Sequence, residues 1–569
     1  MKKIIATLKE KKGIIDVVKF LIIAFAIAVF ACQPYFNNMM IYTHDFGYHL
    51  NRIIQINENL KNGIFPSFIH SGLLKNLGYA NSIFYPEIFL YIPAILMLVF
   101  NYHVLNAYKI FLVLITFATF CTTYLSAKAI FKKKEVGYLT AILYTFSLYR
   151  LTDVFVRGAL GEILSFIFLP LLLYGLYEVI FGDNKKWWII SIAFWGLANS
   201  HILTFVVVIP LVILICLLNI DIVIKDKRRL LNLVIAALIA VLLCVGFFGP
   251  MIEQKSNDTF KIDGESIEDP EVIKSRATSL SLMLGSNIKA GYAVDSLVRS
   301  DGMSEGIGAI LLILAMLMFI RKGVTYKENR FEIQLFVIGG IVYFMTSHFF
   351  PWEKISFLSV LQFPFRLNFI PTLLYSFIGA SCFYAIFEEN NRRDFCVFFC
   401  IILLIIYGYV LSNVNIKFNP IYEKFEDLIE GIDHETGSAE YLPVNTDLDD
   451  LELYNINDKD KTYEFTQTGS EIIFEYDDEE NDLEINMPLV YYKGYVADIE
   501  LQDGSKEKLE VVKNNENGHV LVKSDEKLTG IITVKYKMTL IQGICYSVEI
   551  ITFVGLIAFN IYKKRKDKE

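Results

Sequence analysis

A mainly α, polytopic membrane helix bundle carrying a small β-sandwich module is the fold class this sequence predicts, and three observations predict it. Hydrophobic residues make up 54% of the 569-residue chain and its mean hydropathy is +0.44, more apolar surface than a water-soluble protein of this length can bury. Runs such as Val17 to Cys32, Ile202 to Leu218, Leu230 to Phe248 and Phe395 to Leu411 are nearly free of charge and as long as a hydrocarbon core of ~30 Å demands. The net charge of −8 hides a split: residues 421–537 hold 30 acidic and 11 basic residues, and the rest of the chain holds 31 and 42. An acidic soluble module is therefore set into a basic membrane body.

Lys and Arg near span ends stay on the cytoplasmic side, so basic clusters mark each return to the inside. They stand at the N-terminus, at Lys132 to Lys134, Lys185 with Lys186, Lys225 to Arg229, Arg321 with Lys322, Arg392 with Arg393, and in the tail from Lys563. Seven clusters inside imply about twelve spans, near 14–33, 105–131, 135–150, 163–182, 187–200, 202–220, 230–249, 306–320, 331–347, 367–387, 395–413 and 540–562. Phe84 to Phe100 is then surplus. With Pro86, Glu87 and Pro93 it is poor material for a crossing, and it is expected to be re-entrant or to lie along the outer surface.

The expected domains are a membrane domain over 1–413, an extracytoplasmic acidic β-rich domain over 414–538, and a last span with a basic tail over 539–569. Both termini fall in the cytoplasm of a multi-pass plasma-membrane protein, and the first span reads as a retained signal-anchor. All eight histidines, His44, His49, His70, His103, His201, His348, His434 and His519, then face outside. Period-2 alternation marks strands at Glu471 to Tyr476, Leu489 to Tyr495, His519 to Lys523 and Ile531 to Tyr536, with turns at Asp503-Gly504 and Asn517-Gly518. The eight cysteines lie in or beside apolar spans and read as small apolar fillers. No GxGxxG, P-loop, CxxC pair or HExxH occurs, and no nucleic-acid partner is indicated.

Three external stretches carry chemistry. The first runs from Thr43 to Arg52; in a helix begun there, Asp45, His49 and Arg52 share one face as a carboxylate, an imidazole and a guanidinium, suited to base, metal or proton partner, and phosphate contact. The plainer reading is that Asp45 caps the helix and Arg52 anchors at lipid headgroups. The second runs from Tyr149 to Glu162, where Arg150 and Arg157 suit a phosphate and Gly158 and Gly161 permit close approach. Its plainer reading is an Asp153–Arg157 pair that only stabilises a helix end. The third, Leu361 to Arg366, follows an aromatic stretch and adds a cation at the depth of a lipid phosphate. His201 stands alone in a tight turn between two spans, and Glu549 is the clear intramembrane carboxylate.

HDFGYHLNRI, NGIFPSFI and FYPEIFLYIPA within 44–94, YRLTDVFVRGALGEILSFIFLPLLLYGL at 149–176, LQFPFRLNFI at 361–370, and EYLPV with LVYYKGYVA within 440–497 together resemble the GT-C class of bacterial integral membrane glycosyltransferases. The likeness is nearest to the 6-pyruvoyl-tetrahydropterin-synthase-related, YfhO-like branch. The resemblance implies sugar transfer from a polyprenyl-phosphate donor to a cell-envelope glycan or lipid acceptor at the outer face, by an inverting displacement among membrane lipids. It implies Asp45 as base or metal partner within the His44-to-His49 loop, with a divalent cation, Mg or Mn, as the cofactor expectation. Arg157 and Arg366 look like carrier-phosphate contacts, and Asp153 and Glu162 both qualify as a second acid. A lipid-linked saccharide transporter and a non-catalytic envelope-assembly protein are the rival readings.

Overall fold

Apolar runs shed their backbone polarity by forming helices, since in lipid each amide must find its partner within its own segment. In the computed structural model they do so along most of the chain; the described residues are 2–36, 40–41, 43–264, 269–284, 305–388, 393–412, 421–422, 439–446, 448, 454–458, 461–477 and 483–566. His434 and Arg392 lie outside them. The helices used below are α1 Lys2–Ala31, α2 Phe46–Lys61, α3 Tyr91–Phe100, α4 Val104–Phe131, α5 Lys134–Thr145, α6 Leu148–Thr152, α7 Leu160–Ile180, α8 Trp188–Ala198, α9 Ile202–Leu218, α10 Lys227–Asn257, α11 Ala309–Met316, α12 Arg330–Met345, α13 Phe369–Glu388, α14 Arg393–Ser412 and α15 Leu540–Lys566.

Among the described residues seven helical segments are long and apolar enough to cross a membrane: Gly13–Ala31, Val104–Phe131, Leu160–Ile180, Lys227–Asn257, Pro364–Glu388, Phe395–Ser412 and Leu540–Lys563. The pair Lys134–Thr145 and Leu148–Arg157, bent by 42°, makes an eighth if it is one span. The protein is a multi-pass membrane helix bundle. Each expected span has a helix, but α8 has 11 residues and α11 has 8. At 1.5 Å per residue such helices fall well short of ~30 Å. Phe84 to Phe100 holds the short apolar helix Ile88–Phe100, below spanning length as expected.

The chain forms two compact units. One comprises Met1–Phe46, Tyr108–Leu238 and Ile267–Phe425. Its centre is the Pro364–Glu388 helix, 89% buried, beside Leu160–Ile180, 78% buried. Both are apolar all round, which is the pattern of a helix surrounded by others. Gly13–Ala31 and Phe395–Ser412 are each only 22% buried within the protein. Beyond α12, a loop core of Ile273, Trp352, Leu361 and Leu367 fixes the irregular segment that leads into α13.

The second unit comprises Gly47–Ala107, Ile239–Ser266 and Glu426–Glu569. Its strands do not form the expected two-sheet sandwich. They make one antiparallel sheet of nine strands: β3 Ile456–Asp458, β4 Lys461–Tyr463, β5 Phe465–Thr468, β6 Glu471–Tyr476, β7 Leu483–Val490, β8 Tyr495–Leu501, β9 Lys506–Lys513, β10 His519–Ser524 and β11 Gly530–Tyr536. The order is β4-β3-β7-β10-β9-β8-β11-β6-β5; a two-strand pair in the first unit, β1 Met40–Ile41 with β2 Ile421–Tyr422, precedes it in numbering. The sheet curls until its two ends meet, with the Tyr463 ring 5.9 Å from Phe474 and 5.5 Å from Tyr476. Alternating Ile472, Phe474 and Tyr476 face the enclosed core. The expected strand Leu489 to Tyr495 spans a turn instead: β7 ends at Val490 and β8 begins at Tyr495, with Gly494 at φ +132° between them.

Candidate functional site

The bent span holds the site. After α6 the chain makes one π-helical turn, Asp153–Arg157, and Gly158 stops it with φ +62°. A side chain there is barred twice over: the left-handed backbone disfavours it, and a Cβ would stand 1.9 Å from Thr43 Oγ1. The reason is that residues 43–45 lie directly on the turn. The His44 amide donates to the Val156 carbonyl at 3.1 Å and the Asp45 amide to the Arg157 carbonyl at 2.8 Å.

Below this junction lies a buried ionic cluster. The Arg157 guanidinium is paired with Asp153 and donates to Glu162 at 2.7 Å. The Tyr149 hydroxyl donates to Glu162 at 2.5 Å and reaches the Arg366 carbonyl at 3.4 Å. Asp153 and Tyr149 are wholly buried, and Arg157 is 6% exposed. One guanidinium thus meets two carboxylates, so its charge is spent inside the protein. Asp153 keeps one carboxylate oxygen buried without a hydrogen bond.

Arg366 differs. Its Nη1 donates to Gln362 Oε1 at 2.8 Å and to the Leu361 carbonyl at 3.3 Å, both neutral, and its Nε is buried without a partner. Phe363 lies 5.0 Å from its guanidinium and Phe365 lies 5.2 Å from that of Arg157. Glu162 is the stronger acidic influence on both arginines and Asp45 a weaker one; the Asp45 side chain is exposed. His201 precedes α9, its Nδ1 2.8 Å from Thr204 Oγ1. Burial pushes its imidazole down to about 4; Glu162 opposes that, and Arg366 and Arg157 add to it. Loss of hydration and then the Arg157 charge likewise push His44 down to about 4, although its side chain is exposed at one edge. Both imidazoles are neutral at pH 7.

The remaining predicted residues lie elsewhere. Arg150 is buried and donates to the Thr145 carbonyl at 3.0 Å and to Thr116 Oγ1 at 2.9 Å, holding the bend between α5 and α6. His49 and Arg52 belong to the second unit. There Arg52 donates to the Pro86 carbonyl at 2.7 Å, sits 3.6 Å from Glu87 and packs over Tyr85. His49 Nδ1 is 3.4 Å from Arg52. Helix α2 starts at Phe46, so Asp45 stands in the turn immediately before it. Among the described residues no three His, Cys, Asp or Glu side chains are placed to hold a metal ion.

A family model matches residues 7–358, more than half of the chain, and contains Asp45, Arg157, Glu162 and His201 while ending before Arg366. The chain belongs to the family of unknown function DUF6541. No curated protein matches this DUF6541 member. Among solved structures it is similar to the cryo-EM structure of the arabinofuranosyltransferase AftD from mycobacteria, at 13% identity and a TM-score of 0.44. The match covers 74% of this chain and 29% of that one, so this DUF6541 member spans under a third of the length of AftD.

Two contributors carried no sequence signal of their own. Tyr149 opened the second loop without a role; its spacing of 13 residues from Glu162 suits no regular helix face. Gln362 sits at φ +59°, a conformation unusual for a residue with a side chain, and orients Arg366.

Proposed function

We propose that this chain is a GT-C-type integral membrane glycosyltransferase that moves a sugar, with inversion, from a polyprenyl-phosphate carrier to a cell-envelope acceptor on the extracytoplasmic face. The observation that carries the reading is the fastening of Asp45 to the Arg157 turn, which sets an exposed carboxylate within the field of Arg366, the cation whose hydrogen-bonding partners are neutral. The motif resemblance, including its YfhO-like branch, supports the same reading, and the twelve-span topology with cytoplasmic termini belongs to it.

In this reading Asp45 takes the proton of an acceptor hydroxyl as that oxygen bonds to the anomeric carbon. The bond from that carbon to the carrier phosphate breaks, and its electron pair leaves with the phosphate. Arg366 holds the departing oxyanion, and most of the rate gain comes from a cation fixed where charge develops. Arg157, neutralised by Asp153 and Glu162, is the strut that keeps Asp45 in place.

The test compares envelope glycans of a deletion strain complemented with wild type, Asp45→Asn or Arg366→Ala, at matched expression. Wild type restores the missing glycan and neither variant does; restoration by Asp45→Asn removes the base assignment. A lipid-linked saccharide transporter is the second reading, favoured by Glu549 inside an apolar helix. Carrier movement in reconstituted vesicles without any glycosylated product would select it.

A further inference from the structure

Three segments run from the site to the far end of the first unit. The bent pair carries Arg157 at one end and Val136 at the other, α7 has Glu162 in its first turn and Tyr177 near its last, and α13 follows Arg366 and ends at Glu388. The 21 residues of α7 span about 31 Å, the thickness of a hydrocarbon core. At the far ends of these helices opens a cavity of about 830 Å³, within the size range of ligand sites. It stands among the basic clusters at Lys132 to Lys134 and Arg321 with Lys322.

Its lining is divided. One wall is apolar and aromatic: Phe131, Val136, Phe181 and Ile222, with Phe331 held between Tyr177 at 4.9 Å and Phe181 at 5.7 Å. The floor is a fixed polar group. Glu332 is 8% exposed, and its carboxylate accepts from Arg321 at 3.0 Å on each oxygen, from Asn329 at 2.9 Å and from Ser381 at 2.5 Å. The mouth carries both signs. Lys133 and Glu388 are paired at 2.6 Å, and Lys327 and Glu328 stand side by side, exposed, neither with an ion-pair partner among the described residues. Four cations and three carboxylates line the whole.

We propose that this cavity binds a membrane phospholipid with a zwitterionic head, a phosphate with a primary ammonium group, taken from the leaflet opposite the Asp45 site. The near balance of charge suits a head bearing both signs better than a purely anionic one, and the adjacent Lys327 and Glu328 offer one partner for each. The apolar wall at the depth of a bilayer surface suits an acyl chain and gives a soluble phosphoamine nothing to bury. The inference is independent of the glycosyltransferase reading.

Full-length protein is extracted from nanodiscs of mixed phosphatidylethanolamine, phosphatidylglycerol and phosphatidylcholine, and the retained lipid is read by native mass spectrometry. Phosphatidylethanolamine is expected to be enriched about tenfold over phosphatidylglycerol. Ala385→Trp, which fills the cavity and removes no charge, abolishes the enrichment. Glu328→Lys, on an exposed loop where folding is not at risk, turns the preference toward phosphatidylglycerol. Arg366→Ala leaves the enrichment unchanged. Equal retention of the two lipids overturns the proposal, as does retention by a folded Ala385→Trp protein, a Glu328→Lys preference like that of wild type, or loss on Arg366→Ala. Displacement of the lipid by free phosphoethanolamine at equal concentration also overturns it, since the site would then take a soluble ligand.

Discussion

The Asp45 amide donates to the Arg157 carbonyl at 2.8 Å, so the loop before α2 is tied to the π-helical turn through the main chain. Gly158 makes that approach possible, with φ +62° and Thr43 against it. Gly158→Ala therefore costs about 1–2 kcal/mol for the left-handed backbone, plus the displacement of Thr43. Thermal melting of the purified protein is expected to show the loss, with the proposed transfer falling further than stability because Asp45 moves with the loop.

Arg157 and Arg366 are separable. Arg157→Ala strands two buried carboxylates and is expected to destabilise by about 3–5 kcal/mol. Arg366→Ala leaves Gln362 and a backbone carbonyl, which water can serve, and costs less than about 1 kcal/mol. Denaturation and the proposed transfer, measured side by side, check this: Arg157→Ala loses fold and transfer together, Arg366→Ala transfer alone.

Acid weakens the protein through His201 and His44. Each imidazole is held down to about 4 in the fold, against an ordinary value near 6.5 in the unfolded chain. As pH falls from about 6.5 to about 4 the unfolded chain takes up protons that the folded chain refuses, so stability present above that window is lost within it. Melting temperatures recorded from pH 7 to pH 4.5 are expected to fall less steeply in His201→Asn than in wild type.

In the second unit Gly246 of α10 makes room for Glu549 of α15: a Cβ there would stand 1.6 Å from Glu549 Oε2. Gly246→Ala is expected to lower the melting temperature, and Glu549→Ala in the same chain to restore part of the loss. The coupling is on the order of 1 kcal/mol. Two independent losses that simply add would show that the contact is absent.

The membrane body was legible because hydropathy is summed over some twenty residues, and a sum survives local error. Its irregularities were not, because the break after Thr145 rests on Arg150 bonded to Thr116 from a separate helix. At the site, the acid and the arginines stood out by type, yet their division of labour did not. Spacing paired Arg157 with Asp153, but only the fold brings Glu162 and Tyr149 to the same guanidinium and leaves Arg366 with neutral partners. The helix expected from Thr43 onward begins at Phe46, one residue after the aspartate. Strands β6, β10 and β11 followed from alternation, whereas sheet closure depends on pairings that no local pattern encodes.

That closure has a consequence for life at a crowded surface. Strands β4 and β5 stand at opposite margins of the sheet yet are separated in sequence by Glu464 alone, and they are three and four residues long. A ribbon that ends where it starts, with hems this short, gives a neighbouring molecule little to template on. The module can therefore carry its rows of β-branched residues at high local density without seeding fibrils.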